Sequence, residues 1–124
     1  MKQKNYETGK LGEKLASEYL VKKSYRIIEK NFHTRYGEID LIATKNGKLI
    51  FIEVKLKVGE DFGTPEEMIT PKKLWQVTKT AESFLVLKPE ISKTYDSFQI
   101  DAVCIVLNSE KEIERVNHYE NITF

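Results

Sequence analysis

The sequence predicts an α/β protein in which a mixed sheet of about five strands is flanked by helices. Three observations lead to it: two segments with apolar residues at three- and four-residue spacing, an Asn-Gly pair between two β-branched runs, and a long unbroken apolar run towards the C-terminus. A chain of 124 residues is the size of one hydrophobic core, and no repeat, low-complexity run or Pro/Gly/Ser-rich linker divides it. Residues 1–124 are therefore read as a single domain. With 40% hydrophobic and 31% charged residues, the composition is that of a globular protein and excludes a disordered one.

From about Lys10 to Lys22, the residues Leu11, Leu15, Ala16, Tyr19 and Leu20 mark one face of an amphipathic helix, with Thr8 as its expected N-cap. At roughly 100° per residue, Glu13 falls on the border of this stripe, where a carboxylate can look along the protein rather than out to bulk water. Tyr25 to Phe32 reads as a first strand. Gly37 to Thr44 and Leu49 to Leu56 follow, joined by Lys45-Asn46-Gly47-Lys48, the strongest short-range hairpin signal. Thr70 and Pro71 read as an N-cap and first helical residue, and Leu74, Val77, Ala81, Phe84 and Leu85 continue that helix to about Leu87, before Pro89. Phe98 to Leu107 reads as a buried strand and Ile113 to Tyr119 as a more exposed final one.

Composition also narrows the chemistry. The longest apolar stretches, such as Leu49 to Ile52, fall far short of the roughly 20 residues of a membrane span, and no hydrophobic signal region follows the Lys-rich start. A cytoplasmic protein without a membrane partner is expected. Cys104 is alone and cannot form an intrachain disulfide; with only His33 and His118 as imidazoles, any metal site must be built from carboxylates. Net charge is +1, yet residues 1–30 hold eight Lys/Arg against four Asp/Glu, whereas residues 91–124 hold three against six. The basic end is a weak footprint for a polyanion, and a solvated Lys-rich helix face explains it equally well.

The hairpin register carries the chemistry. If Asn46 and Gly47 form a two-residue turn, Thr44 faces Leu49, Ile42 faces Phe51, Asp40 faces Glu53 and Glu38 faces Lys55. Alternation then puts Glu38, Asp40, Glu53 and Lys55 on one side, and Ile39, Leu41, Ala43, Ile50, Ile52 and Val54 on an apolar opposite side that must pack on a helix. Two opposed carboxylates repel, more so where solvent is excluded. A shifted proton, a nearby lysine or a divalent cation can relieve them; a hard cation such as Mg²⁺ suits one or two carboxylates and explains the most. Lys55 could then hold an attacking water or stabilise charge on a phosphate. The alternative is an ion-pair ladder with Glu38 on Lys55, although Ile42 and Phe51 on the charged side argue that this side is partly covered.

These residues resemble the YraN-like (UPF0102) family of small bacterial proteins, placed in the restriction-endonuclease-like PD-(D/E)xK nuclease superfamily. The resemblance covers most of the chain: GKLGEKLASEYL (Gly9 to Leu20), NFHTRYGEIDLIA (Asn31 to Ala43), FIEVKLK (Phe51 to Lys57), FGTPEEMITPKK (Phe62 to Lys73) and QIDAVCI (Gln99 to Ile105). By position, it implies Asp40 and Glu53 as metal-binding carboxylates, the backbone carbonyl of Val54 as a further metal contact and Lys55 as the catalytic lysine. Glu13 resembles the helical glutamate that Holliday-junction-resolvase-like members place beside the metal. The implied fold is restriction-endonuclease-like, the cofactor Mg²⁺ or Mn²⁺, and the activity hydrolysis of DNA phosphodiesters, with branched or otherwise structured DNA as the expected substrate. Ile39 stands where the superfamily motif has Pro. Leu56-Lys57 replaces the more usual Thr-Arg, which exchanges a forked guanidinium for a point charge in gripping phosphate.

Other residues keep two readings each. Lys73, at the edge of the second helical stripe, either reaches a phosphate or snorkels at the surface. Arg35 and Tyr36 either touch nucleic acid or cover the sheet, Trp75 reads as a packing or partner-surface residue, and Glu38 is expected to orient Lys55. Asp101 reads as a satisfied structural carboxylate; His33, His118 and Cys104 receive no role. The expectation is thus a metal-dependent nuclease whose partner is DNA or another nucleic acid. A homodimer is in keeping with cutting both strands. The rivals are a non-catalytic nucleic-acid-binding module on the same scaffold and a protein-interaction role in which the carboxylates are a relic.

Overall fold

A computed structural model describes the backbone over residues 2–122 and side chains over residues 8–122. Helix α1 (Lys2–Lys22) leads into three strands, β1 (Arg26–Thr34), β2 (Gly37–Lys45) and β3 (Lys48–Val58). A single 3-10 turn (Glu66–Met68), helix α2 (Pro71–Leu87) and the short α3 (Pro89–Ser92) precede β4 (Ser97–Leu107) and β5 (Ile113–Tyr119). The five strands form one sheet in the order β1-β2-β3-β4-β5, parallel between β3 and β4 and antiparallel elsewhere. This is the mixed five-stranded sheet with flanking helices that the hydrophobic pattern predicts.

Helix α1 starts eight residues before the expected Lys10, so Thr8 lies inside it rather than capping it. The apolar stripe on which the expected start rested begins only at Leu11, whereas the backbone is helical from Lys2. Helix α2 behaves as expected: the Thr70 hydroxyl accepts the Lys73 amide at 3.1 Å and Pro71 occupies the first turn. The strand after α1 begins at Arg26 and runs on to Thr34, while Tyr25 is buried just ahead of it.

Each face of the sheet is covered. On one, Ala16 and Leu20 of α1 pack with Leu41, Ala43, Ile50, Ile52, Val54, Val103 and Ile105. On the other, Val77, Ala81 and Phe84 of α2 pack with Ile39, Ile42, Leu49, Phe51 and Ile100. Full burial of each such large side chain stabilises by about 1.5–3 kcal/mol. Strand β4 is buried from Ile100 to Leu107 because it lies inside the sheet with cover on both sides.

Of two expectations about the hairpin, one is met and one is corrected. The side bearing the carboxylates is partly covered as expected, since its inner part, Ile42 and Phe51, is core beneath α2. Ile39 belongs to that α2 cluster and not to the face of Leu41, so strict alternation fails at Asp40. In β1, Asn31 adopts a φ of 55°, and the β1-β2 register shifts between Ile27 and Glu29. The register shift thus falls opposite Ala43 and Ile42, while Asn31 lies at the position opposite Asp40.

Candidate metal and active site

The Asn46-Gly47 turn has φ values of 52° and 77°, the double left-handed geometry that a two-residue hairpin turn demands. The register follows as expected, Thr44 opposite Leu49 and Ile42 opposite Phe51, but the ladder runs only to Leu41 and Ile52. Beyond it the strands part: β3 continues beside β4 alone, and Glu38 lies opposite His33 of β1. Glu38 is exposed, and among the described residues no hydrogen bond or ion pair joins it to Lys55, which removes the expected cross-strand pair.

The side chain of Asp40 fills the point of divergence. Its Oδ2 accepts the backbone N–H of Val54 at 2.7 Å, taking the place a strand carbonyl would hold. This fastens Asp40 beside the Glu53 carboxyl. The Asp40 carboxyl is pushed well above its ordinary range, first by burial and then by the adjacent Glu53; the Val54 amide and the Lys55 ammonium act in the opposite sense. Glu53 itself is 1% exposed, and its Oε2 accepts no hydrogen bond. The Lys73 ammonium stands 3.1 Å from that oxygen as a charge contact. Lys73 is thus directed at a carboxylate, not at an open surface, and neither of its two sequence readings anticipated this.

Lys55 is half-buried, acts electrostatically on Asp40, and lines a cleft of about 290 Å³ with Gly9, Gly12, Val54, Leu56 and Met68. Glu13 approaches from α1. Its carboxyl is raised by burial, offset by a hydrogen bond with Asn31, and raised further by the charges of Asp40 and Glu38. Among the described residues, however, no three His, Cys, Asp or Glu side chains gather closely enough to share one ion. The central pair is therefore Asp40 and Glu53, with Glu13 in their field. Two hard carboxylate oxygens suit Mg²⁺ or Mn²⁺, which keep several waters, and the buried Oε2 of Glu53, which accepts no hydrogen bond and has the Lys73 ammonium at 3.1 Å, is an oxygen that such a cation could take over from the lysine.

One supporting residue entered the sequence reading only inside a quoted motif, without a role of its own. Gly12 sits inside α1 where a Cβ would meet Leu56 Cβ at 3.3 Å and Val54 Cγ1 at 3.4 Å. It lets the helix lie against β3 and so presents Glu13 to the carboxylates; a glycine inside a helical stripe was the available signal. The other expected contacts are dispersed. Lys57 is half-buried further along β3, and Arg35 is exposed at the β1-β2 turn, its guanidinium 5.0 Å from the Tyr36 ring. Asp101 is fully buried and satisfied by Gln99, the Asn121 amide and His118, so His118 has a structural partner that sequence reasoning did not assign. Cys104 is buried and its thiol is pushed up to about 12, mainly by burial, so it is inert. No helix of the described chain is long and apolar enough to cross a membrane.

A family model described as "Uncharacterised protein family UPF0102" matches residues 12–105, which include Gly12, Glu13, Asp40, Glu53, Lys55 and Lys73. A UPF0102 protein of Syntrophomonas wolfei is 41% identical over 94% of this chain and 97% of its own length. One from Caldanaerobacter subterraneus is 39% identical over 98% of both chains, and one from Persephonella marina 45% identical over 82% of this chain and 84% of its own.

Proposed function

This chain belongs to the uncharacterised protein family UPF0102, and we propose that it is a metal-dependent nuclease of the PD-(D/E)xK type that hydrolyses phosphodiester bonds of DNA. The observation that carries this reading is the pair of adjacent acids: a half-buried Asp40 held to the Val54 amide, next to a fully buried Glu53 whose Oε2 draws the Lys73 ammonium to 3.1 Å. Burial of two acids side by side is unfavourable unless positive charge joins them. Asp40 and Glu53 would hold Mg²⁺ or Mn²⁺, with the Val54 carbonyl as a further oxygen donor and Glu13 orienting bound water. When bound, the metal supplies Lewis acidity and a water of lowered pKa.

The remaining work belongs to the chain. Lys55, beside Asp40 and open to the cleft, holds the attacking water or stabilises charge developing on the phosphate. Lys73 neutralises Glu53 while no cation is present, and Gly12 keeps α1 close enough to bring Glu13 to the pair. Val54, Leu56 and Met68 line one wall of the cleft and limit the water around Lys55.

The test is cleavage of linear, single-stranded and four-way-junction DNA in Mg²⁺, Mn²⁺ or EDTA. Asp40→Asn keeps an acceptor for the Val54 amide, so it isolates the charge; Lys55→Ala isolates the ammonium. Metal-dependent cutting that falls about a hundredfold or more in each variant is the expected result. DNA binding without cutting, indifferent to both substitutions, would make the protein a binding module instead.

A further inference from the structure

Trp75, Tyr36, Arg35 and Lys79 meet on the surface although they come from the β1-β2 turn and from α2. The indole of Trp75 and the ring of Tyr36 stand edge to face, centroids 6.2 Å apart at 86°. The Arg35 guanidinium lies 5.0 Å from the Tyr36 ring and donates to its hydroxyl at 3.0 Å. On the far side, Lys79 Nζ lies 5.8 Å from the Trp75 ring. Trp75 nevertheless keeps 46% of its surface in water, and a groove of about 450 Å³ opens beside it between Arg35, Tyr36, Lys79 and Val86. Sequence reasoning treated Trp75 as a packing or partner-surface residue and Arg35-Tyr36 as a separate pair.

We infer that this groove seats an unpaired nucleotide of the nucleic-acid strand that enters the carboxylate site; the inference rests on the nuclease reading above. Aromatic faces flanked by cations suit a flat base joined to a phosphate, because every base offers a π-face and each phosphate a negative charge. Of the groove's lining residues, only Glu82 is acidic, and Lys79 pairs with it at 3.5 Å. The groove is also tied to the site through β2: Tyr36 precedes Asp40 by four residues, roughly 13 Å of extended chain. A duplex keeps its bases stacked inside and cannot offer one here without local opening, so the groove selects single-stranded or branched substrates.

Trp75 is the only tryptophan in the chain and stands edge to face with Tyr36, which lines the groove, so its emission reports the groove through that contact. The full chain in EDTA is titrated with a short oligothymidylate and with a blunt duplex of equal length, following Trp75 emission together with the anisotropy of end-labelled DNA. The expected result is saturable quenching by the single strand, about tenfold weaker binding of the duplex, and about tenfold weaker single-strand binding in Tyr36→Ala. Lys79→Ala should lower the salt dependence of binding. Anisotropy that rises while Trp75 stays silent, equal quenching by duplex, or no binding of either DNA overturns the inference, as does emission that responds only to protein concentration, which would mark a self-association face. Quenching without metal-dependent cleavage keeps the groove and removes the hydrolytic reading; cleavage with a silent Trp75 does the reverse.

Discussion

Asp40 is an acid that the fold makes costly to ionise. Unfolded, it loses its proton near 3.8; folded, only towards about 8, because burial and Glu53 oppose its charge. Between those values the native state binds the extra proton, so stability falls as pH rises through the interval. Asp40→Asn cannot ionise and still accepts the Val54 amide. In EDTA its melting temperature is expected to stay level from about pH 4 to about pH 8 while that of the native protein declines, so the two thermal denaturation curves diverge with pH. Parallel curves would refute the account. Added Mn²⁺ should raise the melting temperature of the native protein alone, since only it keeps both carboxylates. The acids themselves were legible in the sequence, because a two-residue turn sets which residues can face each other. Their counter-charge was not: Lys73 reaches Glu53 from an element that begins 18 residues after it, and no local spacing encodes that distance.

At the scale of elements, the approach of α1 to β3 decides where Glu13 stands. Gly12 permits it, and a larger residue there must push on Leu56 and Val54. Gly12→Leu is expected to destabilise the protein by about 1–3 kcal/mol in urea denaturation. Gly12→Ala should be closer to neutral, because a better helix residue offsets a small clash by roughly 1 kcal/mol. If leucine is tolerated without loss, the helix does not lie as described. The hairpin was readable because Asn46 and Gly47 carry the required dihedrals in their own residue types. Where β2 and β3 separate was not, since a side-chain oxygen of Asp40 replaces the ladder there, and alternation alone placed Ile39 on the wrong face.

Across the whole molecule, Arg115 joins the last strand to the segment between β3 and α2. Its Nε donates to Glu60 at 2.9 Å and its terminal nitrogens to Glu66 at 2.7 and 2.9 Å, while Tyr119 donates to Glu66 at 2.7 Å. Arg115 above all, with help from Tyr119 and against a smaller effect of burial, holds the Glu66 carboxyl down at about 2. An acid depressed in this way stabilises the fold above its ordinary value of 4.5, and that contribution is lost as pH falls from there towards 2. Glu66→Gln is therefore expected to be less stable than the native protein at pH 7 and to converge with it in acid, as chemical denaturation at a series of pH values will show. A gap that stays constant would mean the clamp is not electrostatic. Taken alone, the sequence determined the two helical stripes, the hairpin and its register as far as Leu41 and Ile52, the buried fourth strand and the residues shared with the family, because periodicity, turn dihedrals and residue type act over a few positions. Only the tertiary structure decided that Lys73 neutralises Glu53, that Trp75 meets Tyr36, that His118 satisfies Asp101 and that Arg115 ties down the segment before α2. Each of these joins residues far apart in the chain, and their meeting depends on how two helices close over opposite faces of one sheet.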